Sequence, residues 1–314
     1  MTRQLFTVAF YNLENLFDVY DDELTNDNDF LPDSAKRWTP KRYNNKLRKL
    51  GFVISNINKE KTQKIPAIIG LAEVENNTVL DDLLASKHLV NLHYNYVHFD
   101  SQDERGIDVA LLYDTTVFEV EVSEIFPVPI YDEDGSIDYT RDILLVKGLL
   151  NNEMIYVMVN HWPSRHNGAK ETEPKRMLAS EKASEIIQTI KNENAEAKII
   201  IMGDFNDDPF SNSIKHLINS NNLYNPMKIL LSDISGTTKH YDEWNLFDQI
   251  LFSTNFFETD SGKLSFDSAA LFDEEFLKQY RGPFKGAPFR TYVGKKYKGG
   301  YSDHFPVYIV LEQN

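Results

Sequence analysis

The stretch KIIIMGDFND, residues 198–207, combines a buried strand with a polar cluster that follows it directly. Its run of consecutive apolar residues, rich in β-branched isoleucine, is typical of a short strand. The strand leads into Gly203, Asp204, Phe205 and Asn206, so a carboxylate and an amide lie just beyond its last apolar side chain. Aspartate and asparagine at such places are most often turn formers. The polar end therefore becomes informative only if other strands end in the same way.

Similar apolar runs recur along the chain and predict a protein in which strands outnumber helices. The predicted strands are Leu5–Tyr11, Ala67–Leu71, Val109–Tyr113, Ile143–Leu149, Ile155–Val159, Lys198–Met202, Gln249–Phe252 and Pro306–Leu311. Helical spacing predicts helices from Tyr43 to Ile57, from Pro174 to Ile190 and over Ser213–Asn219. This order predicts an α/β (α+β) protein with mixed, largely antiparallel sheets covered by helices. Residues 261–300 are expected to be irregular, and residues 1–314 to form a single domain.

Composition excludes several classes of protein. The 314 residues carry 33 basic and 48 acidic side chains, a net charge of −15, and 41% are hydrophobic, which excludes disorder as the dominant state. Cysteine is absent, which excludes disulfides, thiolate nucleophiles and zinc sites with sulfur ligands. No run is long enough to span a membrane. The lack of a leading apolar segment favours a cytoplasmic protein, unless the chain is a trimmed form of a longer precursor.

Polar clusters stand beside the ends of six predicted strands. They contain Asn12, Glu73, Asn160-His161, Asp204 with Asn206, Phe247-Asp248 and Ser302-Asp303-His304. If these ends meet at one edge of a sheet, several carboxylates come together and repel one another unless a cation compensates. With oxygen donors and no cysteine, Mg²⁺ or Mn²⁺ is the cation expected.

The ordered series of these motifs resembles the signature of the endonuclease/exonuclease/phosphatase superfamily of metal-dependent phosphoesterases, which includes deoxyribonucleases and apurinic endonucleases. Gly203-Asp204-Phe205-Asn206 followed about 100 residues later by Ser302-Asp303-His304 is the most specific part. The segments 160–165, 239–248 and 299–306 look most like bacterial members described only at family level. The resemblance implies a four-layer sandwich, with two mixed β-sheets packed face to face, helices outside and the active site at one edge.

The resemblance also implies a role for each matched residue. Glu73 would bind the metal directly, and Asn12 and Asp303 would complete or support its site. Asp204 would act as general base on the attacking water, with Asn206 beside it. The remaining catalytic residues are two phosphate donors and a carboxylate that orients one of them: His304, His161 and Asp248.

Further residues are weaker candidates. Arg141 lies where relatives often place a phosphate-contacting side chain, although a surface ion pair explains it nearly as well. Asp108 opens a strand and would orient His161 or be a turn residue. A substrate cleft is expected to be lined by Trp162, Arg165, His166, Lys170, Trp244 and Arg290. The two tryptophans would equally suit packing under loops.

These residues predict a divalent-metal-dependent phosphodiesterase, most simply of nuclease type. The alternative is a phosphatase or phospholipase-like hydrolase of a small phosphoester such as an inositol phosphate or a lipid head group. A non-catalytic binding protein of the same fold, or a protein stabilised by calcium in the acidic segment 18–35, has less support. The partner expected is a phosphoester, nucleic acid included, although the charge of −15 disfavours a long polyanion. No feature points to a protein partner.

Overall fold

A computed structural model describes residues 3–131, 135–166, 168–240 and 242–314. In these residues the strands are β1 Gln4–Leu16, β2 Ile68–Val74, β3 Tyr94–His98, β4 Asp108–Asp114, β5 Phe118–Phe126, β6 Ile143–Leu150, β7 Glu153–His161, β8 Lys198–Asp204, β9 Leu223–Tyr224, β10 Thr238–His240, β11 Glu243–Asn245, β12 Asp248–Ser253, β13 Leu264–Leu271, β14 Tyr292–Val293, β15 Lys296–Tyr297 and β16 Val307–Gln313. The helices are α1 Pro40–Ile54, α2 Lys59–Thr62, α3 Asn77–Leu84, α4 Glu173–Glu193 and α5 Asn212–Asn221.

Twelve of these strands form two mixed sheets. The first has the order β13-β16-β1-β2-β4-β3, and the second has the order β5-β6-β7-β8-β12-β9. Each sheet contains one parallel pair near its centre, β1 with β2 and β7 with β8, and its other neighbours are antiparallel. The expectation of mixed, largely antiparallel sheets is confirmed.

The core has three parts that define four layers. Side chains from both sheets, such as Phe10, Ile68, Val157 and Met202, form the central cluster between them. A second cluster packs α1 and α3 against the outer face of the first sheet, and a third packs α4 and α5 against the second. Apolar side chains on both faces of the central strands leave them almost fully buried. The sandwich with helices outside is confirmed.

The elements that the sequence did not predict lie mostly at sheet edges. β3 and β13 are the two edge strands of the first sheet, and β5 is an edge strand of the second. The prediction that residues 261–300 are irregular is wrong for Leu264–Leu271 and for the short hairpin formed by Tyr292–Val293 and Lys296–Tyr297. In the sequence, Leu264–Leu271 lies between β12 and β16. An edge strand is half exposed, so polar residues interrupt its apolar pattern. No helix among the described residues is long and apolar enough to cross a membrane.

Candidate active site

Strand register brings the predicted residues together at one edge of the sandwich. His161, the last residue of β7, stands beside Asp204, the last residue of β8, and Asp204 stands opposite Asp248, the first residue of β12. Gly203 is needed at this place because a Cβ there would collide with the backbone oxygen of Asn160 on the neighbouring strand. The Gly-Asp pair thus packs β8 tightly on β7 and presents the Asp204 carboxylate at the strand end.

Two site residues have left-handed backbone conformations. Glu73 has φ 62° at an irregularity in β2, and Asn206 has φ 49° just after β8. Such conformations are costly for residues other than glycine and occur where the surroundings enforce them, commonly at functional sites. At Glu73 the bulge re-aims the side chain, so that Oε2 accepts a hydrogen bond from the Asn15 N–H at 2.7 Å. Its Oε1 lies 4.0 Å from His161 Nε2.

Three polar side chains of the site surround Asp204 Oδ2. It accepts a hydrogen bond of 3.0 Å from Asn12 Nδ2 and lies 3.8 Å from His161 Nε2 and 3.9 Å from His304 Nε2. Its other oxygen accepts the Asn206 N–H at 2.9 Å. Burial raises the pKa of Asp204 to about 7, opposed by the positive charge of His304. The carboxylate is therefore poised to exchange a proton near neutral pH.

His304 and Asp248 form a close pair. His304 Nδ1 lies 2.7 Å from Asp248 Oδ2, which leaves Nε2 directed toward the site. Burial lowers the pKa of His304, but Asp248, Asp204 and Asp303 outweigh it and hold this pKa well above its usual value. His304 is therefore an imidazolium at neutral pH, and Asp248 fixes its ring.

His161 differs from His304 in charge. It is 4% exposed, and burial, followed by the nearby charges of Arg141 and Arg105, holds its pKa well below the usual value. Its Nδ1 is buried without a hydrogen-bond partner among the described residues. The site thus combines one neutral and one cationic imidazole around the Asp204 carboxylate.

The other two predicted metal-site residues are held by neighbours. Asn12 Oδ1 accepts the Glu14 N–H at 2.9 Å, so the amide nitrogen, rather than the oxygen, faces Asp204 and Glu73. Asp303 pairs with Arg290 at 2.5 Å, and its Oδ1 lies 3.9 Å from His304 Nε2. Burial raises the pKa of Asp303, but the charges of His304 and Arg290 outweigh this and lower it.

The donor set fits a hard divalent cation. Carboxylates of Glu73, Asp204, Asp248 and Asp303 surround the site, and Asp248 Oδ1 is buried without a hydrogen-bond partner among the described residues. Ligand atoms of Asp204, Asp248 and His304 also lie within 4.8 Å of one another. The 2.7 Å contact between His304 Nδ1 and Asp248 Oδ2 already uses both atoms, which favours Glu73 over this trio as the ion's direct ligand. Oxygen donors of this kind suit Mg²⁺ or Mn²⁺.

The weaker candidates have other contacts. Arg141 is buried, pairs with Asp103 at 3.1 Å and donates to the Trp162 carbonyl at 2.9 Å, so it supports the segment behind His161. Asp108 lies 3.3 Å from His98, and it forms no hydrogen bond or ion pair with His161 among the described residues.

The expected cleft residues fall into packed and exposed groups. Trp162 is buried against Phe205, whereas Trp244 is half-buried in β11 and stacks on Phe305. Arg165 pairs with Asp207 at 2.8 Å, while His166 and Lys170 are exposed. Of the six expected cleft residues, Arg290 forms an ion pair with a predicted site residue, Asp303.

A buried ion pair behind the site was not predicted. Lys46 of α1 donates to Thr291 Oγ1 and to the Tyr301 carbonyl, both at 2.7 Å, and lies 3.7 Å from Glu14. Glu14 in turn accepts the Thr291 N–H at 2.6 Å. These contacts anchor the segment between Arg290 and Asp303. The signal was a glutamate that lies between Leu13 and Leu16 in a largely apolar stretch, VAFYNLENLF (8–17).

The family profile described as Endonuclease/Exonuclease/phosphatase family matches residues 7–313. The chain therefore belongs to this family. Its members hydrolyse phosphoesters and generally depend on a divalent metal ion, so the chain is a phosphoester hydrolase. No curated protein matches the sequence.

Solved structures with the same fold come from bacteria and animals. An endonuclease/exonuclease/phosphatase family protein from Bacteroides thetaiotaomicron has TM-score 0.63 and 16% identity, with 100% of this chain and 99% of that chain covered. A mannosyl-6-phosphatase from the same species has TM-score 0.60 and 17% identity, covering 98% and 99%. Truncated TDP2 from Caenorhabditis elegans has TM-score 0.56 and 14% identity, covering 98% and 97%. At these identities the similarity concerns the fold alone.

Proposed function

We propose that the chain is a divalent-metal-dependent phosphodiesterase of nuclease type. The observation that carries the proposal is the convergence of His161, His304 and Asn12 on Asp204 Oδ2 within 4 Å, next to the Glu73 carboxylate. A carboxylate with a pKa near neutrality between two imidazoles can take a proton from water while the imidazoles bind a phosphate.

Glu73 would hold the cation directly, and Asp303 would complete or support its site. Asn12 would support both carboxylates through its amide nitrogen, which donates to Asp204 and lies 3.4 Å from Glu73 Oε1. When bound, Mg²⁺ or Mn²⁺ supplies positive charge to the phosphoryl oxygen and to the leaving oxygen.

Asp204 would accept the proton of the attacking water at Oδ2. The Asn206 N–H holds Oδ1, and the Asn206 side chain donates to the Trp162 carbonyl at 2.9 Å. This second bond ties the turn after β8 to the segment after His161. Asn206 therefore fixes the base relative to the neighbouring phosphate donor.

The two histidines would bind the phosphate through their Nε2 atoms. His304 would donate as an imidazolium, oriented by Asp248 at 2.7 Å. His161 would donate as a neutral ring, since its pKa is lowered by burial and by the charges of Arg141 and Arg105. Arg141 would hold the segment behind His161 through its hydrogen bond to the Trp162 carbonyl. Asp108 forms no hydrogen bond or ion pair with His161 among the described residues.

Hydrolysis of a small phosphomonoester is the second candidate. Its support is the fold shared with the bacterial mannosyl-6-phosphatase and the net charge of −15, which disfavours long polyanions. A comparison of p-nitrophenyl phosphate with bis-p-nitrophenyl phosphate separates a phosphatase from a phosphodiesterase.

The test of the proposal is hydrolysis of bis-p-nitrophenyl phosphate with Mg²⁺ or Mn²⁺. EDTA should abolish turnover, and Asp204→Ala should lower kcat about 10³-fold because the general base is lost. Asp260→Ala, which removes an exposed aspartate from a loop, is the matched control and should leave kcat unchanged. Turnover that persists in Asp204→Ala would contradict the mechanism, and turnover that persists in EDTA would contradict the metal dependence.

A further inference from the structure

A basic pocket opens beside the proposed active site. It has a volume of about 560 Å³ and lies between the β10–β11 hairpin and the segment 279–303. Its lining includes Lys239, Arg281, Phe284, Arg290, Lys298 and Asp303. The volume is within the range of pockets that bind small ligands.

The charge of this pocket is opposite to that of the chain. Four basic side chains line it against the single carboxylate of Asp303, whereas the whole chain has a net charge of −15. Arg290 is paired with Asp303, but Lys239, Arg281 and Lys298 form no ion pair among the described residues. Unpaired cations gathered in one concave surface attract an anionic group.

The pocket connects directly to the catalytic residues. Arg290 Nη2 is 2.5 Å from Asp303 Oδ2, and Asp303 Oδ1 is 3.9 Å from His304 Nε2. A group bound in the pocket therefore lies one side chain away from the proposed phosphate donor. This separation suits two neighbouring parts of one substrate.

An aromatic ring lines the pocket among its charges. Phe284 is 48% exposed, and Pro283 lies next to it in the lining. An exposed phenylalanine beside basic side chains is the combination that binds single-stranded nucleic acid, because the ring stacks on a base while the cations hold the phosphate.

We propose that this pocket binds the nucleotide next to the cleaved phosphodiester, with its phosphate on Lys239, Arg281 and Lys298 and its base against Phe284. The inference rests on the proposed phosphodiesterase function and names its substrate class: a short single-stranded oligonucleotide with a second phosphate. A sugar phosphate or lipid head group has no base to stack on the phenylalanine ring.

The test compares thymidylyl-thymidine with the same dinucleotide carrying a second phosphate at its 5′ or its 3′ end. In the wild type one of the two added phosphates should raise kcat/KM about tenfold, the effect of a charge-assisted contact. The triple variant Lys239→Ala/Arg281→Ala/Lys298→Ala should lose this advantage, and Phe284→Ala should lower kcat/KM for the favoured dinucleotide about fivefold or more. The matched control removes three exposed lysines elsewhere: Lys61→Ala/Lys215→Ala/Lys228→Ala.

The outcomes separate this inference from the proposed function. An added phosphate that gives no advantage, an advantage that survives the triple variant, or an unchanged rate in Phe284→Ala would overturn the pocket assignment while bis-p-nitrophenyl phosphate is still hydrolysed. If no diester is hydrolysed, the proposed function fails, and calorimetry with thymidine 3′,5′-bisphosphate tests the pocket alone. Binding that is weakened by the triple variant, and not by the control, then supports it, whereas equal or absent binding refutes it.

Discussion

Asp204 has a role that conflicts with its surroundings. The proposed reaction needs the charged carboxylate, but burial raises its pKa to about 7, so ionisation costs the folded protein free energy. The group titrates near 3.9 when unfolded, so folded molecules bind more protons between about pH 4 and 7. Its contribution to stability therefore falls as the pH rises through this range.

Asp204→Asn should consequently remove activity and raise stability. We expect kcat to fall about 10³-fold and the melting temperature at pH 8 in EDTA to rise by about 2–4 °C. The gain should shrink toward pH 5, where the wild-type carboxyl is protonated. Asp260→Asn, on an exposed loop, is the control. Thermal denaturation from pH 5 to 8 measures the effect, and a variant less stable than the wild type at pH 8 would contradict it.

Asp248 sets the charge of His304 and should therefore control the alkaline side of the pH profile. Activity should rise with pH as Asp204 ionises near 7 and fall at higher pH as His304 loses its proton. Asp248→Asn removes a carboxylate that raises the pKa of His304, so the fall should begin at lower pH, by one unit or more, and kcat should drop about 10²-fold. The measurement is kcat/KM against pH. An alkaline limb that does not move would show that His304 is not the group responsible.

Single residues in the sequence predicted the candidate site better than the residues that hold it in place. Asp204, Asp248 and His304 were found because each stands directly beside a predicted strand. The contact of Asp108 with His98 could not be predicted, because it depends on how β3 pairs with β4, and β3 was not predicted. Likewise nothing local showed that Lys46 of an amphipathic helix turns inward.

At the scale of elements, the segment from Arg290 to Asp303 is held by α1 and β1. Lys46 and Glu14 are both buried, and together they bind the backbone at Thr291 and Tyr301. A buried pair is costly to break when one charge is left behind, but removing both charges costs much less.

We therefore expect Lys46→Met to lower the free energy of unfolding by about 3 kcal/mol. The double variant Glu14→Gln/Lys46→Met should recover more than half of the loss. Because the segment carries Arg290 and Asp303, both variants should also lower kcat/KM. Urea denaturation and diester hydrolysis measure the two effects. A double variant less stable than Lys46→Met would show that the two charges are not coupled.

The sequence predicted central elements and missed those at edges, for a physical reason. β8 is buried on both faces, so its apolar run is continuous. β5 places Glu119, Glu121 and Glu124 on an exposed edge, and β13 contains Ser265, Asp267 and Ser268, so neither has a clear apolar pattern. Charged residues on edge strands prevent pairing with other chains, and that same feature hides the strands from pattern analysis.

For the whole molecule, the net charge of −15 opposes long polyanions while the basic pocket attracts a short one. We expect kcat/KM for a dinucleotide with a second phosphate to exceed that for plasmid DNA, expressed per phosphodiester. Raising the salt concentration from 0.01 to 0.15 M shortens the screening length from about 30 to about 8 Å and should narrow this difference severalfold. Steady-state rates at the two concentrations test it. DNA cleavage that is faster than dinucleotide cleavage and weakens with salt would contradict it.

The two sheets differ in whether their strands come from one continuous part of the chain. The second is built from one continuous stretch, β5 to β12, whereas the first joins β1–β4 to β13 and β16. During translation the strands of the second sheet can therefore pair as they leave the ribosome. One edge of β1, in contrast, stays unpaired until β16 has been synthesised. A half-finished sheet with an open apolar strand is prone to aggregate, so we expect the nascent chain to need chaperones most before β16 has been synthesised.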